Sequence, residues 1–328
     1  MKEKILITRP IFEDVVKYLE GYFEIELNRG PKYSADQLAE ALRGKDAVLV
    51  AGGEKIDADL LTKVHDLKAV CVTAAGYNNI DVEALTRAGI IATNSPGPAD
   101  ETVADFAWGL MIAVARRLVE AEHWVKEGQW KASAGSRFFG TDVYGKTLGI
   151  IGMGRIGRAI ARRAVGFRMR TLYHNRRQLE KELEQECKAS FVSKEALLTE
   201  SDFVILSLPF TKENRHIIAA EDLARMKPTA FLVNIARGGL IDEAALAAAL
   251  QQNQIAGAGL DVFEQEPVIY PALMGLPNVV LCPHIAGATE RAQHGLVMMG
   301  AENLVAALGH GPHAFDPPGI LNPVVLKK

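Results

Sequence analysis

The sequence predicts an α/β protein built from two doubly wound parallel-sheet domains, and three observations carry that expectation. At 328 residues the chain exceeds an ordinary single domain and suits two, each large enough to bury a core. Short apolar runs alternate with amphipathic stretches, the strand–helix–strand rhythm of a parallel sheet covered on both faces. The rhythm breaks at Pro96-Gly97-Pro98 and later resumes, so it forms two series.

In the first series, residues 5–8, 24–27, 47–51, 69–73 and 90–93 read as strands, with helices over 34–42 and 58–64 where apolar residues recur at helical spacing. After the break, Asp100 offers an N-cap for one long apolar helix through Trp108 and Val119 toward Lys126. The second series places strands at 147–151, 170–173, 203–208, 231–235, 258–262 and 279–282. A last helix over 289–308 precedes an irregular Pro- and Gly-rich tail at 311–323. Two crossings between domains are expected, near 96–100 and 285–288. They give one domain from 1–98 plus 287–328 and another from 99–286.

Composition bounds the function. Hydrophobic residues at 48% and charged residues at 23% fit a soluble globular protein. A formal net charge of -3 gives no general attraction to nucleic acid or anionic membrane, so neither is an expected partner. Cys71, Cys187 and Cys282 are widely spaced and form no CxxC, which argues against a disulfide framework or a metal site and for a reducing cytoplasm. No apolar leader and no 18-residue apolar run suggests export or anchoring.

The strongest motif is Gly152-Met153-Gly154-Arg155-Ile156-Gly157, between the apolar strand ending at Ile151 and a helix-like stretch from Arg158. In the Rossmann dinucleotide fingerprint the first glycine permits the tight turn, the second admits the pyrophosphate, and the third lets helix pack on strand. That fingerprint expects an acidic residue at the end of the next strand. Here Asn175-Arg176-Arg177 stands eighteen residues after Gly157 instead, which can pair with a 2'-phosphate and favours NADP, with NAD possible. Otherwise the two arginines would simply begin a solvated helix.

Arg237, Glu266 and His284 each fall at or just beyond the end of a strand, where open α/β sheets place ligands. An arginine can hold a carboxylate bidentately, a histidine can exchange a proton at a carbonyl oxygen, and a carboxylate behind the ring fixes its tautomer. Together they suit hydride transfer. Singly they could be a surface cation, a loop charge before proline and a polar strand cap.

With these residues in view, the chain resembles the D-2-hydroxyacid dehydrogenase family along nearly its whole length. The matching stretches are 101–105, 148–157, 234–239, 259–267 and 283–289. The resemblance implies a Rossmann cofactor domain, a flavodoxin-like substrate domain, and NADPH-dependent reduction of a small 2-keto acid such as glyoxylate or hydroxypyruvate. It implies that Arg237 orients the substrate, His284 is the acid/base and Glu266 supports it. The implied cofactor set is Thr102, Gly152, Gly154, Arg155, Ile156, Gly157, Asn175, Arg176, Arg177, Pro209, Ala236 and Asp261, the last meeting the nicotinamide carboxamide. Ala75 and Gly76 would receive the substrate carboxylate beside Arg237 and His284, no metal is implied, and the helix near 104–119 would help form a homodimer. Relatives often read Val-Gly at Ala75-Gly76 and Gly-Ser at Ala286-Gly287.

Reduction of 2-ketogluconate, phosphoglycerate dehydrogenation and a non-enzymatic nucleotide-sensing role are the alternatives. Glu54, just after the third strand, is expected to repel a phosphorylated substrate, with Lys55 close by as a counterweight. Trp108, Met111 and the Met298-Met299 pair read as packing residues.

Overall fold

A computed structural model describes residues 2–327. The chain divides into two compact units, Met1–Ala99 with Thr289–Lys328, and Asp100–Ala288.

The first unit contains β1 (Lys4–Ile7), α1 (Glu13–Glu20), β2 (Glu24–Leu27), α2 (Ala35–Ala41), β3 (Ala47–Val50), α3 (Ala58–Leu61), β4 (Ala69–Val72), α4 (Val82–Arg87) and β5 (Ile91–Thr93). Its sheet is wholly parallel in the order β2-β1-β3-β4-β5, the flavodoxin-like doubly wound order. Side chains alternate across it: Ile5, Ile7, Leu49 and Cys71 enter one buried cluster, while Leu6, Val48, Val50 and Val70 enter the other. Both faces are therefore covered, as the continuous apolar runs require.

The second unit holds α5 (Asp100–Ala115), α6 (Leu118–Lys126), β6 (Thr147–Ile151), α7 (Arg155–Ala164), β7 (Arg170–His174), α8 (Lys181–Cys187), β8 (Ala189–Phe191), α9 (Lys194–Glu200), β9 (Phe203–Leu206), α10 (Ala220–Leu223), β10 (Phe231–Asn234), α11 (Glu243–Gln251), β11 (Gly257–Leu260), α12 (Pro271–Met274) and β12 (Val279–Leu281). Its parallel sheet runs β12-β11-β10-β9-β6-β7-β8. The chain winds outward from β6 in one direction and then, from β9, in the other. The carboxyl end of β6 is thus the switch point, where doubly wound sheets bind ligands. The final helix, α13 (Glu290–Ala307), belongs to the first unit, and the Thr289 hydroxyl caps it by accepting the Ala292 N–H at 3.2 Å.

Three expectations need correction. The long helix is two, because Arg117 takes a left-handed φ of 53° and the Ala115 carbonyl accepts from Thr141 at 2.8 Å instead of continuing the helical ladder. Asp100 is the first helical residue and not a residue outside the helix, and its carboxylate turns to Arg155 at 3.0 Å. The three-residue β8 at the sheet edge escaped the periodicity, which needs longer runs to register. Trp108 is buried, stacks on Phe167 with centroids 4.4 Å apart and donates to the Ile160 carbonyl at 3.1 Å, while Met111 is fully buried.

Candidate active site

The glycine loop follows β6. Gly152 has a φ of +100°, and a β-carbon there would meet the Ser207 backbone 2.5 Å away, so the turn closes against the chain leaving β9. At Gly157 a β-carbon would collide with the Gly152 carbonyl oxygen, which is how α7 packs onto the turn. Gly154 differs: a β-carbon there would meet nothing within 4 Å. That open space lies at the N-terminus of α7, where first-turn amides lack helical partners and the dipole favours negative charge. A cradle of this kind fits a pyrophosphate.

Asn175, at the end of β7, accepts the Met153 N–H at 2.7 Å and so fastens the middle of the glycine loop. Arg176 and Arg177 are exposed in a bend, with α8 beginning only at Lys181, so they do not start a helix. Neither is in an ion pair among the described residues. Arg155 is engaged by Asp100, Ile156 is half-buried, and Thr102 is buried in α5. Pro209 is exposed beyond β9, and its carbonyl accepts from Asn214 at 2.8 Å.

The carboxyl ends of β10 and β11 carry the other groups. Asn234 is 1% exposed; its Oδ1 accepts the Ala236 N–H at 3.0 Å and its Nδ2 donates to the Arg237 carbonyl at 2.9 Å, so one side chain shapes the turn that presents Arg237. Gly238 follows because any β-carbon there would overlap the backbone of Phe263 and Glu264. This close approach sets the Arg237 turn against the loop that carries Glu266.

His284 Nδ1 lies 2.7 Å from Glu266 Oε2, and Glu266 Oε1 accepts the Phe263 N–H at 2.9 Å. Burial pushes the Glu266 carboxyl up. The His284 hydrogen bond, the Phe263 amide and the charges of His284 and Arg237 outweigh it and hold the group below the usual glutamate range. Burial also lowers the proton affinity of the Arg237 guanidinium, against the pull of Glu266.

His284 takes a left-handed φ of 56°, an unfavourable backbone for a residue with a side chain. Asp261 maintains it: its carbonyl accepts the His284 N–H, and its two carboxylate oxygens accept the Ile285 and Ala286 N–H groups, each at 2.8 Å. Asp261 is fully buried, and burial raises its proton affinity against those two amides. Its visible contribution is to the shape of the histidine loop.

In the first unit, Ala75 and Gly76 lie in the half-buried loop after β4. The Ala74 carbonyl accepts from Ser95 at 3.0 Å and the Ala75 carbonyl from Asn94 at 2.6 Å, which orients that loop. Glu54 does not face outward as expected. It is 1% exposed, its Oε2 accepts the Thr8 hydroxyl at 2.8 Å, and Arg9 Nε stands 3.6 Å from Oε1. Lys55 pairs with Asp57 at 2.7 Å. A buried, compensated carboxylate cannot repel an incoming dianion, so Glu54 gives no ground for excluding a phosphorylated substrate.

Some supporting groups were not singled out in the sequence. Glu264 is flanked by Arg215 and by His216 Nε2 at 3.1 Å, and Glu243 accepts the Glu264 N–H at 2.7 Å. Glu101 bonds Arg162 and Arg163 at 2.7 Å while Asp105 bonds Arg163, tying α5 to α7. Their spacing of four, one helical turn, was the available signal. Among the described residues no cluster of His, Cys, Asp or Glu could hold a metal ion, and no helix is long and apolar enough to cross a membrane.

Comparisons with known proteins agree with this geometry. The family described as D-isomer specific 2-hydroxyacid dehydrogenase, NAD binding domain, matches residues 108–286, which hold the glycine loop, Arg237, Glu266 and His284. A glyoxylate reductase of Thermococcus onnurineus is 46% identical over 99% of this chain and 98% of its own. An NADPH-dependent glyoxylate/hydroxypyruvate reductase from Sinorhizobium meliloti, solved with NADP and malonate, is 31% identical with a TM-score of 0.88, covering 98% of each chain. A Thermus thermophilus structure is 36% identical with a TM-score of 0.89, covering 97% of this chain and 99% of that one. With the fingerprint on its expected strand, the histidine–carboxylate pair at strand ends and full-length relatives alike in sequence and fold, this chain belongs to the D-isomer specific 2-hydroxyacid dehydrogenase family and is an oxidoreductase.

Proposed function

We propose that the protein reduces a small 2-keto acid, glyoxylate or hydroxypyruvate, to the D-2-hydroxy acid with NADPH as the preferred cofactor. The observation that carries this reading is the 2.7 Å bond between His284 Nδ1 and Glu266 Oε2 beside Arg237. A bound reduced nicotinamide nucleotide supplies a hydride. With Nδ1–H donated to Glu266, the Nε2–H of the protonated ring is left to give its proton to the carbonyl oxygen as the alcohol forms. Arg237 orients the keto acid. In the first unit, the amides of Ala75 and Gly76 are assigned to a carboxylate of the substrate.

The first-turn amides at Gly154, Arg155, Ile156 and Gly157 would hold the pyrophosphate, with Thr102, Pro209, Ala236 and Asp261 around the rest of the dinucleotide. Asn175, which braces the loop, leads into Arg176 and Arg177, whose exposed guanidinium groups form no ion pair among the described residues and are available to a 2'-phosphate. The relative solved with NADP supports that preference. Residues 1–98 plus 287–328 would form the substrate domain and 99–286 the dinucleotide domain.

A homodimer is part of the proposal. Trp130 and Phe139 are 64% and 76% exposed, and Leu118, Val119 and Val125 join them in the second unit. Such apolar exposure fits burial against a second copy. Light scattering on the purified protein gives the mass directly. The catalytic reading is tested by following NADPH and NADH oxidation with glyoxylate, hydroxypyruvate, 2-ketogluconate and 3-phosphohydroxypyruvate. Highest kcat/KM is expected with NADPH and an unphosphorylated two- or three-carbon acid; absence of turnover with all four would refute the reading.

A further inference from the structure

Arg9 follows β1 in surroundings that a solvated surface arginine does not need. Opposite it is Glu54, only 1% exposed. Glu54 Oε2 accepts the Thr8 hydroxyl, which in turn accepts the Ala51 N–H at 3.0 Å. Glu54 Oε1 has no hydrogen-bond partner among the described residues and faces Arg9 Nε at 3.6 Å. A buried carboxylate is costly unless a cation compensates it, so Glu54 and Arg9 position one another.

Gly52 gives a second, independent indication. Any β-carbon at that position would collide with Cδ, Nε and Cζ of Arg9. Residue 52 therefore leaves room for the guanidinium to lie across the carboxyl end of β3. The Arg9 side chain remains 43% exposed, and no acceptor engages its two terminal nitrogens among the described residues. The pair is built to hold a guanidinium by its Nε edge and leave the Nη edge open.

β3 lies between β1 and β4 in the sheet. A guanidinium over the end of β3 stands roughly one strand spacing, about 5 Å, from the end of β4. The loop after β4 carries Ala75 and Gly76, to which the proposed function assigns the substrate carboxylate. On that spacing, an acid held there would need only a third carbon to meet the open edge of Arg9.

We infer that Arg9, seated over Gly52 and held by buried Glu54, is a specificity residue that donates to a hydroxyl on the carbon beside the keto group, making 3-hydroxy-2-keto acids the preferred substrate class. The inference rests on the 2-keto acid reductase reading. Arginine suits the role because it stays charged and presents several donors in a fixed plane. Pyruvate lacks only the hydroxyl of hydroxypyruvate, and glyoxylate lacks the third carbon, so the three acids isolate the contact.

The test compares kcat/KM for hydroxypyruvate, pyruvate and glyoxylate in the parent, Arg9→Met and Arg9→Met/Glu54→Gln. The double variant removes the buried charge that the single variant strands, so it still decides the matter if the single variant folds poorly. A parent preference for hydroxypyruvate over pyruvate is expected. The hydroxypyruvate-to-pyruvate ratio should fall roughly tenfold or more in both variants, mainly through the hydroxypyruvate KM. Arg9→Lys should recover part of it. A ratio unchanged within about twofold in a folded variant overturns the role of Arg9. A parent inactive on all three acids overturns the reductase reading itself.

Discussion

Two carboxylates stand beyond strand ends, one in each unit, and each faces a basic side chain in a different setting. Glu54 is almost fully buried, with Arg9 3.6 Å away, whereas the Glu266 side chain is 35% exposed, with His284 at 2.7 Å. An arginine does not release its proton in this chemistry, so the first pair can only hold a shape and offer hydrogen bonds. A histidine can give and take a proton at its ring nitrogens, so the second pair can take part in a reaction. The partner's chemistry, more than the carboxylate, separates a binding device from an acid–base device.

His284→Ala should be the most damaging single change. Removing the proton donor should lower kcat on the order of 10²- to 10⁴-fold, measured in the steady state with saturating NADPH. A variant within threefold of the parent would remove the histidine from the mechanism. Arg237→Ala should cost roughly 10- to 100-fold in keto-acid kcat/KM through lost charged hydrogen bonds, raising KM and lowering kcat together. Loss confined to NADPH binding would reassign it.

Arg176→Ala/Arg177→Ala should have a smaller effect, because both guanidinium groups are exposed. A rise of roughly three- to tenfold in NADPH KM with little change for NADH is expected. Equal kcat/KM for the two cofactors in the parent would already contradict the assignment.

Much of this was legible in the sequence because period and spacing report it. The expected runs became parallel strands within a residue or two of their bounds, buried except at β2 and β12, and the glycine spacing placed the loop at the end of β6. Arg237, Glu266 and His284 were singled out by their positions after strands, and the structure sets Glu266 against His284. The missed features depend on three-dimensional compensation. Nothing in the local sequence shows that Glu54 turns inward to Thr8 and Arg9, that the Ala115 carbonyl leaves its helix for Thr141, or that buried Asn234 shapes the Arg237 turn. Each requires a partner distant in sequence or a backbone angle that residue identity does not dictate.

The Glu266 carboxyl is held below the ordinary glutamate range. Since its folded-state value is depressed, the stability it contributes is present above that ordinary range and is lost as pH falls through the depressed value. Across neutral pH it therefore faces the ring as an anion. Glu266→Gln removes that charge and disfavours the protonated ring, with the effect confined to one side of the pH profile. The direct measurement is kcat for keto-acid reduction against pH in the parent and in Glu266→Gln. Measurable reduction is expected in the variant at the acid end, with a decline beginning at lower pH than in the parent. Superimposable profiles would contradict it, because Glu266 would then have no electrostatic hold on the group that supplies the proton.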